Sequence, residues 1–204
     1  MIGTERGFIE NACAYFKSRP PFAWMICIIP FPLLNALLSL AARDRVPFFL
    51  DSIFTAVAAA VFGLPYGLAT ALLTNGWHEV FDGFSGFHLP FALCGFATAL
   101  IVDAFVRSGR YRGMLAWSLC VGAVTLANSV LGALIAAFVF NGATRMNLDN
   151  IVAGFALFTD SVLAAAFLAR LPINLVDKAL AVVPALALAA LPENTGKPEA
   201  KSRA

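Results

Sequence analysis

The sequence predicts an all-α integral membrane protein, a bundle of six transmembrane helices, and three observations carry that prediction. Of its 204 residues 60% are hydrophobic and 13% charged, where a soluble domain carries about 25% charged residues, and its mean hydropathy is +0.82. The charges are gathered in residues 1–19, at 43–45, at 107–112, at 145–149 and after Pro192. Between those clusters lie apolar runs that reach the roughly 20 helical residues needed to cross a hydrocarbon core about 30 Å thick. They show no period-2 alternation, so a transmembrane barrel is excluded, and helix is the structure that satisfies the backbone without water.

Taken in order, residues 1–20 read as an N-terminal interfacial segment, with Phe8, Ile9, Ala12, Tyr15 and Phe16 at helical spacing. The transmembrane domain covers 21–191, and 192–204 form a polar cytoplasmic tail. The run 21–42 is longer than a signal-peptide core and carries Pro30, Pro32 and Asn35, so it is read as the first span. Spans two and three cover 47–63 and 64–81, joined by the tight turn Gly63-Leu64-Pro65. Spans four and five cover 87–106 and 113–140. Small residues four apart, such as Ala56/Ala60, Gly67/Ala71, Gly132/Ala136, Ala165/Ala169 and Ala185/Ala189, let helix backbones approach.

The last third admits two readings. Thr159-Asp160-Ser161 interrupts the apolar stretch 148–170, and Leu171-Pro172 marks a second break before a final helix over 173–191. The stretch 148–170 is either a re-entrant hairpin, giving six spans, or a seventh span. Lys and Arg concentrate in cytoplasmic segments. With the N-terminus inside, six spans put nine basic residues inside and four outside, and seven spans put seven against six. Six spans are therefore expected, with both termini cytoplasmic in the cell membrane.

Ionisable groups within a span are costly and mark function by default. Near the outer ends of their spans stand Asp51, then Asn75, His78 and Glu79 on one helical face, then Asn174, Asp177 and Lys178 on another. Asn35 and Asn128 lie past the middle of outward-running spans. These nine residues are the expected substrate-binding set of a pocket open to the outside, while Asp103 falls at the inner end. The competing reading is structural, with Asp51 capping its helix and Asp177 neutralising Lys178.

Catalytic readings find less support. His78-Glu79 begins like the zinc-protease HExxH, but position 82 is Asp. A metal held by His78, Glu79 and Asp82 is the lesser reading with two histidines in the chain. Neither GxSxG nor a P-loop is present, so no enzyme activity and no cofactor are expected, and ATP would have to be used by a partner. A net charge of +2 indicates no nucleic acid. Cys27, Cys94 and Cys120 sit in apolar runs as small hydrophobes, and with Cys13 they show no CxxC.

Phe49-Leu50-Asp51-Ser52-Ile53-Phe54-Thr55, then Gly63-Leu64-Pro65-Tyr66-Gly67, Leu72-Leu73-Thr74-Asn75 and Pro172-Ile173-Asn174-Leu175-Val176-Asp177-Lys178 resemble segments of the substrate-binding S components of energy-coupling factor transporters. The resemblance covers most of the chain. It implies a membrane subunit that captures a vitamin or similar trace nutrient and docks on a transmembrane coupling (T) protein driven by two cytoplasmic ATPases. Asp51, Asn75, Asn174, Asp177 and Lys178 match the family pattern. Two departures stand out. The docking AxxxA of span one is approximated here by Asn35/Ser39, and Ile2 stands where cobalt and nickel relatives carry histidine, so a metal substrate is not implied. The alternatives are a membrane ligand sensor or interaction module, for which 192–204 is too short to be an output domain, and a proton-coupled carrier using Glu79 or Asp177, for which no internal repeat is found.

Overall fold

Prolines open the first helices, where a missing N–H costs no hydrogen bond. Pro21–Ile28 (α1) runs through Ile29 into Pro30–Ala42 (α2), and Ile29 N–H to Met25 O and Leu33 N–H to Ile29 O carry the ladder across the junction. The computed structural model describes residues 21–43, 45–109, 113–142, 144 and 148–191. The expected interfacial segment 1–20 and polar tail 192–204, like Cys13, lie outside the described residues. The remaining helices are Ile53–Val61 (α3), Leu64–Phe81 (α4), Ala92–Arg107 (α5) preceded by the 3-10 turn Leu89–Phe91, Met114–Leu134 (α6) followed by a π-helical turn Ile135–Val139, Asp149–Ala156 (α7) and Val162–Ala189 (α8). Among the described residues there is no strand.

Four helices are long and apolar enough to cross a membrane: Phe22–Ala42, Leu89–Arg107, Met114–Val139 and Val162–Ala189. Two expectations need correction. The second expected span, 47–63, is helical only over Ile53–Val61, about 14 Å of rise. Before it the chain is non-helical, and Leu50 takes φ +50°, a left-handed conformation costly for a leucine. The expected break at Leu171-Pro172 does not occur either. Helix α8 runs unbroken through Pro172 and Pro184, because a proline removes only its own N–H from the ladder and the packed neighbours hold the rest in place. The stretch 148–170 is not one continuous helix. It is the short α7, a break over 157–161, and the first turns of α8, which begins where Ser161 Oγ accepts from Ala164 N–H.

Helix α8 packs against α3, α6 and α7, and α4 bridges α2, α3 and α5. The small residues are the means of approach. Ala56, Ala60, Ala99, Ala181 and Ala185 are buried with Val102, Val124, Val182 and Leu186 in the largest core cluster. Ala133, Ala136, Ala165 and Ala169 join α6 to α8 in a second, and Ala58 with Tyr66 meets α1 in a third. At the α3–α4 turn Gly63 takes φ +105°, and Asp103 Oδ1 accepts from Leu64 N–H at 2.9 Å while Oδ2 pairs with Arg107 Nε at 2.6 Å. Asp103 therefore caps that turn.

A Cβ added at Gly67 would lie 2.7 Å from Ala59 Cβ and 2.9 Å from Ala99 Cβ, whereas one at Gly122 would meet nothing within 4 Å. Gly67→Ala is expected to destabilise by about 1–3 kcal/mol through overpacking. Gly122→Ala is expected to be neutral or to stabilise by up to about 1 kcal/mol. Thermal unfolding midpoints of the two variants in one detergent check the contrast.

A candidate solute cavity at one end of the bundle

The ends of α2 and α4, the segment before α3, the start of α5, the second half of α6 and the middle of α8 meet toward one end of the bundle. There they form a partly open cavity of about 110 Å³, close to the roughly 150 Å³ that holds a benzene in an apolar core. Of the nine residues expected from sequence, Asp51, Asn75, His78, Asn128, Asn174 and Lys178 line it. Aromatic and aliphatic groups of the non-helical segment, including Val46, Phe48 and Phe49, form much of the rest of its wall, with Phe81 and Phe91.

The other three expected residues, Asn35, Glu79 and Asp177, do not line the cavity; they build its frame. Asn35 is fully buried; its Nδ2 donates to Thr55 Oγ1 and Thr74 Oγ1, both at 3.2 Å, and its Oδ1 accepts from Phe54 N–H at 2.9 Å. It ties α2 to the start of α3 and to α4. The Glu79 carboxylate gathers the N–H groups of Gly86, His88 and Leu89 at 2.7, 2.6 and 3.0 Å. That folds the loop after α4 back over its own helix end. Asp177 Oδ1 accepts from Leu50 N–H at 2.7 Å, and its Oδ2 faces Lys178 Nζ at 2.7 Å.

Lys178 is 3% exposed, yet it is well compensated: besides Asp177, its Nζ donates to Ser52 Oγ at 2.7 Å and lies 3.7 Å from Asp51 Oδ1. The structural reading of these acids holds in part. Asp177 does neutralise Lys178, whereas Asp51 makes no side-chain cap of α3, whose N-cap is Ser52. The pair Asn35/Ser39 is turned inward, Asn35 into the frame and Ser39 onto the cavity. Leu34, Leu37 and Leu38 form the exposed face of α2.

Sequence reasoning missed Arg43, Asp82, His88 and Arg170, all of which line the cavity. Arg43 grips Asp82 with both nitrogens, Nη1 to Oδ1 at 3.0 Å and Nη2 to Oδ2 at 2.6 Å, and His88 Nε2 reaches Asp82 Oδ2 at 2.5 Å. This chain of groups links the end of α2 to the end of α4 and to the following loop. The ring of His88 also stacks on His78, with centroids 5.1 Å apart. Among the described residues no three His, Cys, Asp or Glu side chains are gathered as a metal site, since Glu79 is turned to backbone N–H groups. Arg170, 2% exposed, stands four and eight residues before Asn174 and Lys178. That spacing puts all three on one helical face, a signal hidden by reading Pro172 as a helix end.

Comparison with protein-family models, with curated proteins and with solved structures gives no match.

The Arg43 guanidinium beside Asp82 holds its carboxyl well below the usual carboxylate range, with His88 adding to the effect. A depressed carboxyl contributes stability that is present above the unfolded value, about 3.9, and is lost as pH falls through the folded value. Asp82→Asn is expected to lower stability by about 1 kcal/mol at pH 7, a modest figure because both partners are partly open to solvent. The gap to the wild type should narrow as pH is taken below about 4, as read from unfolding midpoints across a pH series.

Proposed function

We propose that this chain is the solute-capturing S component of an energy-coupling factor importer. One observation carries the reading: polar side chains dispersed over residues 39–178 converge on one partly open cavity in a largely apolar helical bundle. A pocket of apolar wall with a few convergent polar groups is the general form of a small-molecule site, and polar groups inside a membrane bundle belong to solute paths.

In this reading the bundle lies in the cell membrane with both termini cytoplasmic and the cavity toward the outside, following the basic-residue bias. The six spans are α1–α2, α3 with the segment before it, α4, α5, α6 and α8, and α7 lies at the outer end. Residues 47–52 are non-helical, which a membrane setting tolerates where backbone lines a cavity or is buried in protein. Both conditions apply, since Pro47, Phe48, Phe49 and Asp51 line the cavity and the Leu50 N–H is held by Asp177. The captured solute is a vitamin-like nutrient. Energy comes from the partners that the resemblance implies, a transmembrane coupling protein and two cytoplasmic ATPases, and the chain itself performs no catalysis. The exposed leucines of α2 face lipid or the coupling protein.

The test is purification of the full chain in detergent, followed by mass spectrometry of small molecules released on denaturation. A single compound at near-stoichiometric amount is expected. Asn75→Ala should lose it while changing the unfolding midpoint little, and Asn128→Ala should lose it with some loss of stability besides, because its Nδ2 also bonds Thr98 Oγ1 on α5. Asn35→Ala should instead lower stability by about 1–3 kcal/mol, because it leaves buried hydrogen-bonding groups unpaired. An empty protein that no nutrient stabilises against heat would refute the capture reading.

A further inference from the structure

The proposal rests on the solute-capture reading and concerns what kind of solute the cavity takes. Arg170 is 2% exposed and lines the cavity. Its Nη1 donates to Ala166 O on its own helix at 3.3 Å, and its Nη2 has no acceptor among the described residues. The two lining carboxylates are directed elsewhere, Asp82 to Arg43 and His88, Asp51 toward Lys178. Among the described residues no carboxylate lies within 4.0 Å of the Arg170 guanidinium. A guanidinium does not shed its proton in a protein, and a buried charge needs a counter-charge. Gly132 lets the side chain lie where it does, since a Cβ there would come within 3.0 Å of Arg170 Nε and 3.1 Å of its Cδ.

A second set of groups faces the same space with the opposite requirement. Asn75 Nδ2 donates to Ala71 O and Asn128 Nδ2 to Val124 O, each at 3.0 Å, and Asn128 Nδ2 also donates to Thr98 Oγ1 at 3.0 Å. Because a carbonyl only accepts, these bonds identify which amide atom is nitrogen. The Oδ1 of each is left as an acceptor that no donor among the described residues uses. Asn174 follows Arg170 by four residues on α8, and Asn128 precedes Gly132 by four on α6. Each helix therefore places an asparagine one turn, about 6 Å, deeper than the guanidinium.

We propose that the cavity takes a small organic carboxylate, its carboxylate paired with Arg170 and its N–H groups donating to Asn75 and Asn128. One unanswered guanidinium matches a single negative charge, as on a carboxylate, better than a phosphate monoester carrying about −1.5 to −2.

The experiment uses the full chain in detergent, wild type beside Arg170→Met, Arg170→Lys and Gly132→Ala. The probes are the compound released on denaturation and a library of small organic carboxylates, each beside its methyl ester, together with neutral and cationic nutrients. Binding is read as a ligand-induced rise in unfolding midpoint and as Kd. The expected result is an acid that binds at least about tenfold more tightly than its ester. That preference should disappear in Arg170→Met, persist in part in Arg170→Lys, and fall in Gly132→Ala, where the guanidinium is displaced but its charge kept. Empty Arg170→Met should be as stable as the empty wild type or more so, since it removes an uncompensated buried charge. A neutral or cationic solute, an ester bound as tightly as its acid, or an empty Arg170→Met that unfolds more readily than the wild type would overturn the carboxylate assignment while leaving solute capture standing. A chain that carries nothing and is stabilised by no probe would overturn the capture reading and this assignment together.

Discussion

The buried Asp177–Lys178 pair holds the wall of the cavity in place. Asp177 takes the Leu50 N–H, and Lys178 donates to Ser52 Oγ and faces Asp51. Two consecutive residues of α8 thus hold one backbone N–H and one side-chain hydroxyl of the six non-helical residues before α3. Without that anchor the unpaired backbone would be expensive in so apolar a bundle. The left-handed conformation of Leu50 is tolerated because its own N–H is the group held. A buried ion pair adds little net stability; here its effect is to set the position of a segment that carries Phe48, Phe49 and Asp51 to the cavity.

The same division of labour runs through the polar groups at that end. Asn35, Glu79 and Asp177 spend their bonds on protein partners and hold elements together. Asn75 spends its nitrogen on its own helix and Asn128 on its own helix and on Thr98 of α5, and both present their oxygens. Away from the cavity's lining, Asp103 does comparable framing work for the α3–α4 turn. The small residues complete the arrangement, since Ala59, Gly67 and Ala99 approach closely enough to leave no room for another carbon. That tight packing contrasts with the open cavity.

Much of this was legible in the sequence. Long apolar runs give helices whatever their neighbours, which is why the boundaries 64–81 and 113–140 match Leu64–Phe81 and Met114–Val139 closely. Polar residues placed toward one end of each run were bound to meet once the helices packed antiparallel. Pro172 was the point of failure. A local rule reads proline as an end, while the packing of α8 against α3, α6 and α7 keeps the helix intact. That single misreading moved Arg170 out of the helix face it shares with Asn174 and Lys178. The first half of the 47–63 run failed for the opposite reason, because its apolar residues suit a buried wall as well as they suit a helix.

What the sequence determined by itself is the class of structure, an apolar helical bundle with its polar side chains collected toward one end, because hydropathy over some 20 residues depends on composition alone. Tertiary structure alone decided which of those side chains are frame and which are lining. Arg43 meeting Asp82, Asp177 meeting the Leu50 N–H and the Arg170 Nη2 left without an acceptor among the described residues are facts of three-dimensional proximity that no local spacing encodes.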